Sequence, residues 1–182
     1  MDASSISMYL KETWATIYMT LISSSISYLI GIPLGVILVV TDKDGIHPMT
    51  PVHAVLGMLI NIFRSIPFLI LLVMVLPLTK MLVGTTLGPK AIIPPLIIAS
   101  APYIGRMVES SLKEVNAGVI EAAKSMGATN TQIIFKVLLP EAKPSLLVGA
   151  AICITTILSY SAMAGFVGGG GLGAIALNYG YY

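Results

Sequence analysis

Apolar residues are grouped along the chain in four long runs, and polar segments separate the runs. No charged residue occurs from Thr13 to Thr41. A helix needs about 20 predominantly apolar residues to cross the hydrocarbon core of a bilayer. The pattern therefore predicts four transmembrane helices, at about residues 14–40, 56–79, 91–112 and 145–165, with a polar segment at residues 113–143.

The composition also indicates a membrane protein. Of the 182 residues, 56% are hydrophobic and 10% are charged, whereas a soluble domain carries roughly 25% charged residues. A chain of this length cannot bury so much apolar surface in its own core. We therefore expect a single all-α integral membrane domain over residues 1–182. Its first helix is too long for a signal peptide and is expected to be an uncleaved anchor.

Lysine and arginine are distributed unequally between the polar segments, and cytoplasmic loops carry the excess of these residues. If residues 113–143 are cytoplasmic, seven of the ten lie inside and three outside. The inner set is Lys43, Arg64, Arg106, Lys113, Lys124, Lys136 and Lys143, and the outer set is Lys11, Lys80 and Lys90. This predicts an N-terminus outside the cell. With four spans, the C-terminus would also lie outside.

Arg64 interrupts the second apolar run. A charge deep in hydrocarbon costs at least roughly 2.5 kcal/mol. Two interpretations remain open. The side chain reaches the membrane interface, with the span starting near it, or it pairs with a neighbouring helix or a partner subunit.

The polar segment has the pattern of two short helices with a corner between them. Small apolar residues at helical spacing form one face, at Val115, Val119, Ala122, Ala123 and Met126. Gly127 is placed for a left-handed C-terminal cap. Thr129 and Gln132 have the spacing of a capping box that opens the second helix, and Pro140 is expected to end it. By pattern alone, this is equally well an ordinary amphipathic loop helix.

The spacing of this segment resembles the EAA signature of permease subunits of ATP-binding-cassette (ABC) importers. Glu121-Ala-Ala is followed after three residues by Gly127, and nine residues later come Val137 and Leu139-Pro140. The resemblance implies a cytoplasmic coupling helix that docks on a separate ATP-hydrolysing subunit. The residues implied in coupling are Glu121, Ala122, Ala123, Met126, Gly127, Thr129, Leu139 and Pro140.

Three further stretches resemble the methionine permease branch of that family. They are residues 61–68 (NIFRSIPF), 83–90 (VGTTLGPK) and 164–173 (AGFVGGGGLG), the last followed by 178–181 (NYGY). The resemblance implies a type I ABC importer permease fold. Such permeases usually have five spans, so a further helix is expected after Tyr182, unless the chain is a shortened form.

The resemblance further implies partners and a location. The expected assembly contains a second copy of this chain, two ATP-binding subunits and an extracytoplasmic substrate-binding protein in the bacterial inner membrane. The implied function is uptake of D- or L-methionine, or both. Another amino acid or a small osmolyte is the alternative substrate, and an independent channel, secondary carrier or small intramembrane enzyme is the alternative class.

The sequence has no candidate for catalysis on its own chain. It contains no Gly-x-x-x-x-Gly-Lys-Ser/Thr phosphate-binding loop, so ATP and magnesium are expected on the partner subunit. His47 and His53 have no suitably placed further ligand, so no metal site is expected. Residues 168–173 fit Gly-x-Gly-x-x-Gly but lack the strand–turn–helix setting of a dinucleotide site. Instead, Gly168, Gly169, Gly170 and Gly171 permit either close helix contact or a mobile outer gate.

A mildly polar face on the fourth span is the candidate translocation pathway. Thr155, Ser159 and Met163 are spaced by four residues, with Thr156 and Tyr160 beside them. Met163 and Tyr160 would offer soft, adaptable contacts to a thioether substrate. The alternative is helix packing by small hydroxylated residues, which is common in membranes.

Overall fold

The computed structural model describes residues 3–181, and every regular element in that range is helical. In chain order the helices are α1 (Ala3–Thr41), α2 (Thr50–Ser65), α3 (Phe68–Val83), α4 (Pro89–Lys113), α5 (Ala117–Ser125), α6 (Asn130–Ile133), α7 (Leu139–Glu141), α8 (Lys143–Met163) and α9 (Gly171–Ile175). Ile134–Leu138 and Ala176–Tyr181 are π-helical, and Ala164–Val167 is a 3-10 turn. By length and composition α1, α4 and α8 can cross a membrane, and α2 with α3 makes a fourth span if the two count as one.

The second predicted span, residues 56–79, is not one continuous helix. Helix α2 ends at Ser65 and α3 begins at Phe68. Pro67, between them, has φ −56° and ψ 135°. Proline lacks an N–H group and pushes the residue before it out of the helical region. The predicted second span is therefore broken at Pro67.

Arg64 lies in the last turn of α2, and its guanidinium carbon is 5.8 Å from the ring centroid of Tyr103 on α4. A cation over the face of an aromatic ring at this distance is attracted by the ring quadrupole. Arg64 therefore has a partner on a neighbouring helix, as the second of the two interpretations requires.

The chain divides into two compact units. The first unit comprises residues 1–27, 65–100 and 153–182, and the second comprises residues 28–64 and 101–152. Helices α1, α4 and α8 contribute residues to both units.

The first unit has an aliphatic core. Its fully buried side chains include Met19 of α1, Leu72 of α3, and Ile92 and Leu96 of α4. At the start of α3, the ring of Phe68 stacks on that of Tyr160, with centroids 4.5 Å apart and planes within 5°. Within a bilayer, such side chains stabilise the helix contacts by van der Waals packing, since lipid tails are as apolar as the side chains themselves.

In the second unit, α1 and α4 approach each other through glycines. A Cβ atom at Gly31 would lie 2.5 Å from the side chain of Ile104, and one at Gly35 would lie 2.6 Å from that of Val108. The two glycines are one helical turn apart and therefore share a face. Small residues at this spacing let two helix backbones pack closely, as is common in membrane proteins.

Candidate coupling segment and translocation residues

Helix α5 is bounded by two local devices. At its start, the side-chain oxygen of Asn116 accepts a hydrogen bond from the backbone N–H of Gly118 at 2.8 Å. After its end, Gly127 has φ +78°, and a Cβ atom there would meet nothing within 4 Å. The predicted left-handed conformation of Gly127 is thus confirmed. Glycine is needed there for its backbone shape and not for space.

The predicted capping box is present at the start of α6. Thr129 Oγ1 accepts a hydrogen bond from the N–H of Gln132 at 3.3 Å, and Gln132 Oε1 accepts one from the N–H of Thr129 at 2.9 Å. These bonds satisfy two of the donors that a helix start leaves free. The corner between α5 and α6 is therefore defined by its own sequence.

Pro140 does not end the second helix, which corrects the prediction. The chain stays helical through the π-helical residues Ile134–Leu138 and into α7, where Pro140 lies in the first turn. A proline inside an α-helix loses one hydrogen bond and clashes with the carbonyl four residues earlier. The wider π-helical turn just before Pro140 occurs where such a conflict has to be absorbed.

Large apolar side chains of the predicted coupling segment, residues 113–143, are exposed in the single chain. Met126 is 82% exposed and Phe135 is 64% exposed, and Val119 and Ala122 are also exposed. The opposite side is anchored inward by Ile133, which is fully buried. Exposed apolar patches of this kind mark interaction surfaces. Sequence reasoning missed Phe135.

Three charged side chains of α4 form ion pairs and hydrogen bonds with one another, with α2 and with the loop after α1. Arg106 Nη1 donates to Glu109 Oε2 at 2.6 Å, while its Nη2 donates to the Gly57 carbonyl at 3.3 Å and to Asn61 Oδ1 at 3.1 Å. Lys113 Nζ lies 2.8 Å from Glu109 Oε1 and 2.7 Å from Asp42 Oδ2. The network ties α2 and the end of α1 to α4. The spacing of these three charged residues along α4 can be read from the sequence, but their partners on α2 and after α1 cannot.

Asp42 lies in the loop that follows α1. Its hydrogen bond with Lys113 holds the pKa of the Asp42 carboxyl below its ordinary value, against the opposing effect of desolvation. One ligand atom from each of Asp42, His53 and Glu109 lies within 4.8 Å of the other two. A metal ion would fit at this spacing. The Lys113 ammonium already lies against both carboxylates, so they have a cationic partner.

A cavity of about 400 Å³ adjoins this network and α5. Glu121 and Lys124 of α5 line it, together with Asp42, Asp44 and Lys113. The cavity therefore places the glutamate of the EAA pattern beside the charged end of α4.

In the first unit, two side chains of α1 hold the glycine-rich segment, residues 168–173. Glu12 Oε2 accepts a hydrogen bond from the N–H of Gly171 at 2.6 Å, and Thr16 Oγ1 accepts one from the N–H of Leu172 at 2.9 Å. Gly168, Gly170 and Gly171 all have positive φ. Sequence reasoning missed Glu12 and Thr16, because a contact across more than 150 residues leaves no local pattern. A gating role of Gly168 to Gly171 stays a prediction.

The candidate pathway residues also lie in the first unit. Thr155, Ser159 and Met163 are exposed in the single chain, and the Ser159 hydroxyl donates to the Thr155 carbonyl at 3.0 Å. Tyr160 is half-buried by its stacking on Phe68. The structure therefore groups the predicted pathway and gate residues in one unit, and it groups all the predicted coupling residues in the other.

Comparison with known proteins gives matches over most of the chain. Residues 31–181 match the family described as binding-protein-dependent transport system inner membrane component. The probable D-methionine transport system permease protein MetI of Vibrio cholerae is 51% identical over 175 residues, which cover 96% of this chain and 78% of that protein. The D-methionine transport system permease protein MetI of Escherichia coli K12 is 47% identical over 158 residues, covering 87% and 73%.

Solved structures match over the whole chain. An inward-facing structure of the MetNI methionine ABC transporter aligns with a TM-score of 0.97 and 46% identity, covering 100% of this chain and 84% of that one. An amino acid ABC transporter crystallised with histidines aligns with a TM-score of 0.75 at 22% identity, covering 100% and 85%. The second match is evidence for the fold alone.

Proposed function

Because this chain belongs to the family of binding-protein-dependent transport system inner membrane components, we propose that it forms the pathway through which methionine crosses the inner membrane. The proposal covers D-methionine, L-methionine or both. It is supported by the D-methionine permeases of Vibrio cholerae and Escherichia coli at 51% and 47% identity.

The resemblance found in the sequence and the type I ABC permease fold are confirmed by these matches. The chain is a transport subunit and an inner membrane component. What remains proposed is its assembly, orientation, substrate and source of energy.

The observation that carries the proposal is the exposed apolar surface of the coupling segment. Met126 and Phe135, which are 82% and 64% exposed, flank the corner at Gly127 in the EAA pattern. An ATP-binding subunit that covers this surface would remove both side chains from water. ATP and magnesium would then be held and used on that partner, and its motion would reach the permease through residues 113–143.

Two copies of this chain complete the proposed pathway. A symmetric pair would place the pathway between the subunits, bordered by the exposed face of Thr155, Ser159 and Met163. The segment 113–143 lies in the cytoplasm and the N-terminus outside, in accord with the excess of lysine and arginine on the inner side. A substrate-binding protein delivers methionine from outside. ATP drives the exchange between outward and inward states by binding one state more tightly than the other.

The test is reconstitution of the chain with its ATP-binding subunit and binding protein in lipid vesicles. We expect the ATP-binding subunit to co-purify, and methionine-loaded binding protein to raise the rate of ATP hydrolysis several-fold over the unloaded protein. Stimulation only by another amino acid or an osmolyte would assign a different substrate. Solute flux through the chain alone, without the ATP-binding subunit, would instead support a channel and overturn the proposal.

A further inference from the structure

A groove of about 440 Å³ lies in the first unit, between the early turns of α1 and the start of α4. It takes no part in the proposed coupling or translocation surfaces. Its principal lining residues are Lys11, Trp14 and Tyr18 from α1, together with Leu87, Pro89 and Lys90. Lys11, Trp14 and Tyr18 follow the three-to-four residue spacing that places side chains on one helix face.

The groove lies at the boundary between water and hydrocarbon. Lys11 comes two residues before the charge-free run that begins at Thr13, and Lys90 immediately precedes the charge-free run 91–105. Tryptophan and tyrosine are enriched at this boundary, because their amphipathic rings suit the level of the lipid headgroups. The groove therefore joins two helices at the depth where headgroups lie.

The positive charge of the groove is not compensated by the protein. Within residues 3–181, neither Lys11 nor Lys90 has a carboxylate in ion-pair distance, and no acidic residue lines the groove. The nearest acid in sequence, Glu12, is engaged elsewhere by the backbone N–H of Gly171 at 2.6 Å. Two ammonium groups therefore face one surface that lacks an anion of its own.

Apolar surface adjoins the two lysines. The side chain of Trp14 is 68% exposed and that of Leu87 is 65% exposed. A ligand that fits this surface has a negative group for the lysines and a hydrocarbon part for the aromatic and aliphatic side chains. A phospholipid has both parts, and the membrane supplies it at the right depth.

We propose that this groove is a binding site for an anionic phospholipid such as phosphatidylglycerol. The phosphodiester is held by Lys11 and Lys90, and one acyl chain runs along Trp14 and Leu87. A zwitterionic lipid carries its own cationic headgroup, which the two lysines repel, so the site discriminates by charge. Each lysine near a membrane surface is expected to favour the anionic lipid by about fivefold.

The single tryptophan of the chain makes the proposal measurable. The permease, with its ATP-binding subunit, is placed in nanodiscs that contain phosphatidylglycerol and phosphatidylcholine. One of the two lipids is brominated in its acyl chains, in turn. Subtracting the emission of the Trp14→Phe complex isolates the fluorescence of Trp14. We expect brominated phosphatidylglycerol to quench Trp14 more strongly than brominated phosphatidylcholine at equal mole fraction.

Substitutions assign the preference to the groove. Lys11→Gln and Lys90→Gln should each lower the relative association constant of phosphatidylglycerol by about fivefold, and the double substitution should bring it to the value of phosphatidylcholine. Lys80→Gln is the matched control, because Lys80 is exposed and does not line the groove. Equal quenching by the two lipids in the wild-type chain would overturn the proposal. So would an equal loss of preference in Lys80→Gln, which would indicate a general surface charge effect.

Discussion

Two corners of this molecule are built on left-handed glycines, and they use glycine for different reasons. The corner at Gly127 in the second unit is open, since a Cβ atom there would meet nothing within 4 Å. The corner at Gly171 in the first unit is crowded, because a Cβ atom would lie 2.8 Å from Thr16 Oγ1. Both have positive φ. The first corner therefore depends on its own sequence, and the second depends on α1.

The hydrogen bonds that cap the helix starts also differ between the two corners. The start of α6 is capped by Thr129 and Gln132, which belong to the same local segment. The backbone N–H groups of Gly171 and Leu172 are satisfied by Glu12 and Thr16 of a distant helix. A segment that supplies its own caps leaves its outer surface available for a partner. A segment tied to a neighbouring helix can move only if those bonds break or the helix moves with it.

The largest effect on stability is expected from Gly171→Ala. The added methyl meets Thr16 at 2.8 Å, and the left-handed backbone disfavours alanine. Together these effects should lower the free energy of unfolding by about 3 kcal/mol. Thermal unfolding of the detergent-solubilised protein measures the change. Gly180→Ala is the control, because a Cβ atom at Gly180 meets nothing within 4 Å. Equal unfolding temperatures for the two variants would contradict the conclusion that the corner at Gly171 has no room for a Cβ atom.

The next largest effect concerns binding at the open corner. Met126→Asp places a charge on a surface that a partner is proposed to cover, and should weaken binding of the ATP-binding subunit by about 2 kcal/mol, or roughly 30-fold. The unfolding temperature should not change, because Met126 is 82% exposed. Titration of the permease with labelled ATP-binding subunit measures the affinity. Met126→Leu should bind normally, and full retention of affinity by Met126→Asp would remove Met126 from the interface.

Met163→Asp tests the pathway face of the first unit. Met163 is 39% exposed in the single chain. If it borders the route of methionine, a fixed carboxylate there should lower the uptake rate by about tenfold, equivalent to roughly 1.4 kcal/mol. Methionine uptake into vesicles gives the rate, and co-purification of the ATP-binding subunit should be unaffected. Unchanged uptake kinetics would favour simple helix packing by this face.

Gly127→Ala should have a smaller effect than Gly171→Ala. The added methyl meets nothing, so the only cost is the left-handed backbone, at about 1 kcal/mol. Gly127→Asn should recover part of the loss, since asparagine tolerates this conformation better than alanine. Thermal unfolding distinguishes the three proteins. A loss as large as that of Gly171→Ala would mean that the open corner is packed by something beyond its own sequence.

The smallest effect is expected from the Asp42–Lys113 pair. The pKa of Asp42 is lowered in the folded protein, chiefly by its hydrogen bond with Lys113. Its stabilisation is therefore present above the ordinary carboxyl pKa and is lost as the pH falls through the lowered value. The pair is partly exposed, so Asp42→Asn should cost about 0.5 kcal/mol at pH 7.

Thermal unfolding at pH 7 and at pH 3 measures this difference. The gap between wild type and Asp42→Asn should narrow at the lower pH. Asp44→Asn is the matched control, since the Asp44 side chain is 85% exposed and its ion pair with Lys43 is longer, at 3.7 Å. A gap that widens toward pH 3 would contradict the direction of the pKa change.

The features that could be predicted from the sequence are those that a short segment determines by itself. The left-handed Gly127 and the capping box at Thr129 depend on neighbours within a few residues, and both were predicted. Pro140 was misjudged, because a proline breaks an α-helix but can follow a π-helical turn. The break at Pro67 was missed because the apolar run continues across it. Hydropathy shows how long an apolar run is, but it does not show whether the helix is continuous along that run.

The contacts that sequence reasoning could not supply all join distant segments. Glu12 gives no local signal that it would bind the N–H of Gly171, and Asp42 gives none that it would pair with Lys113. Arg106, Glu109 and Lys113 do share a helix face by their spacing. That spacing predicts a charged cluster on α4, but not the residues of α1 and α2 that complete it.

The two ion pairs of Lys113 limit which residues can replace it. One ammonium group lies within 2.8 Å of two carboxylates that belong to different segments of the chain. Replacing it by a neutral residue would leave two adjacent negative charges without their shared counterion, with an imidazole nearby. Arg106 would still lie against Glu109, at 2.6 Å, so the larger loss would fall on Asp42, and the loop after α1 would lose the charge that ties it to the end of α4.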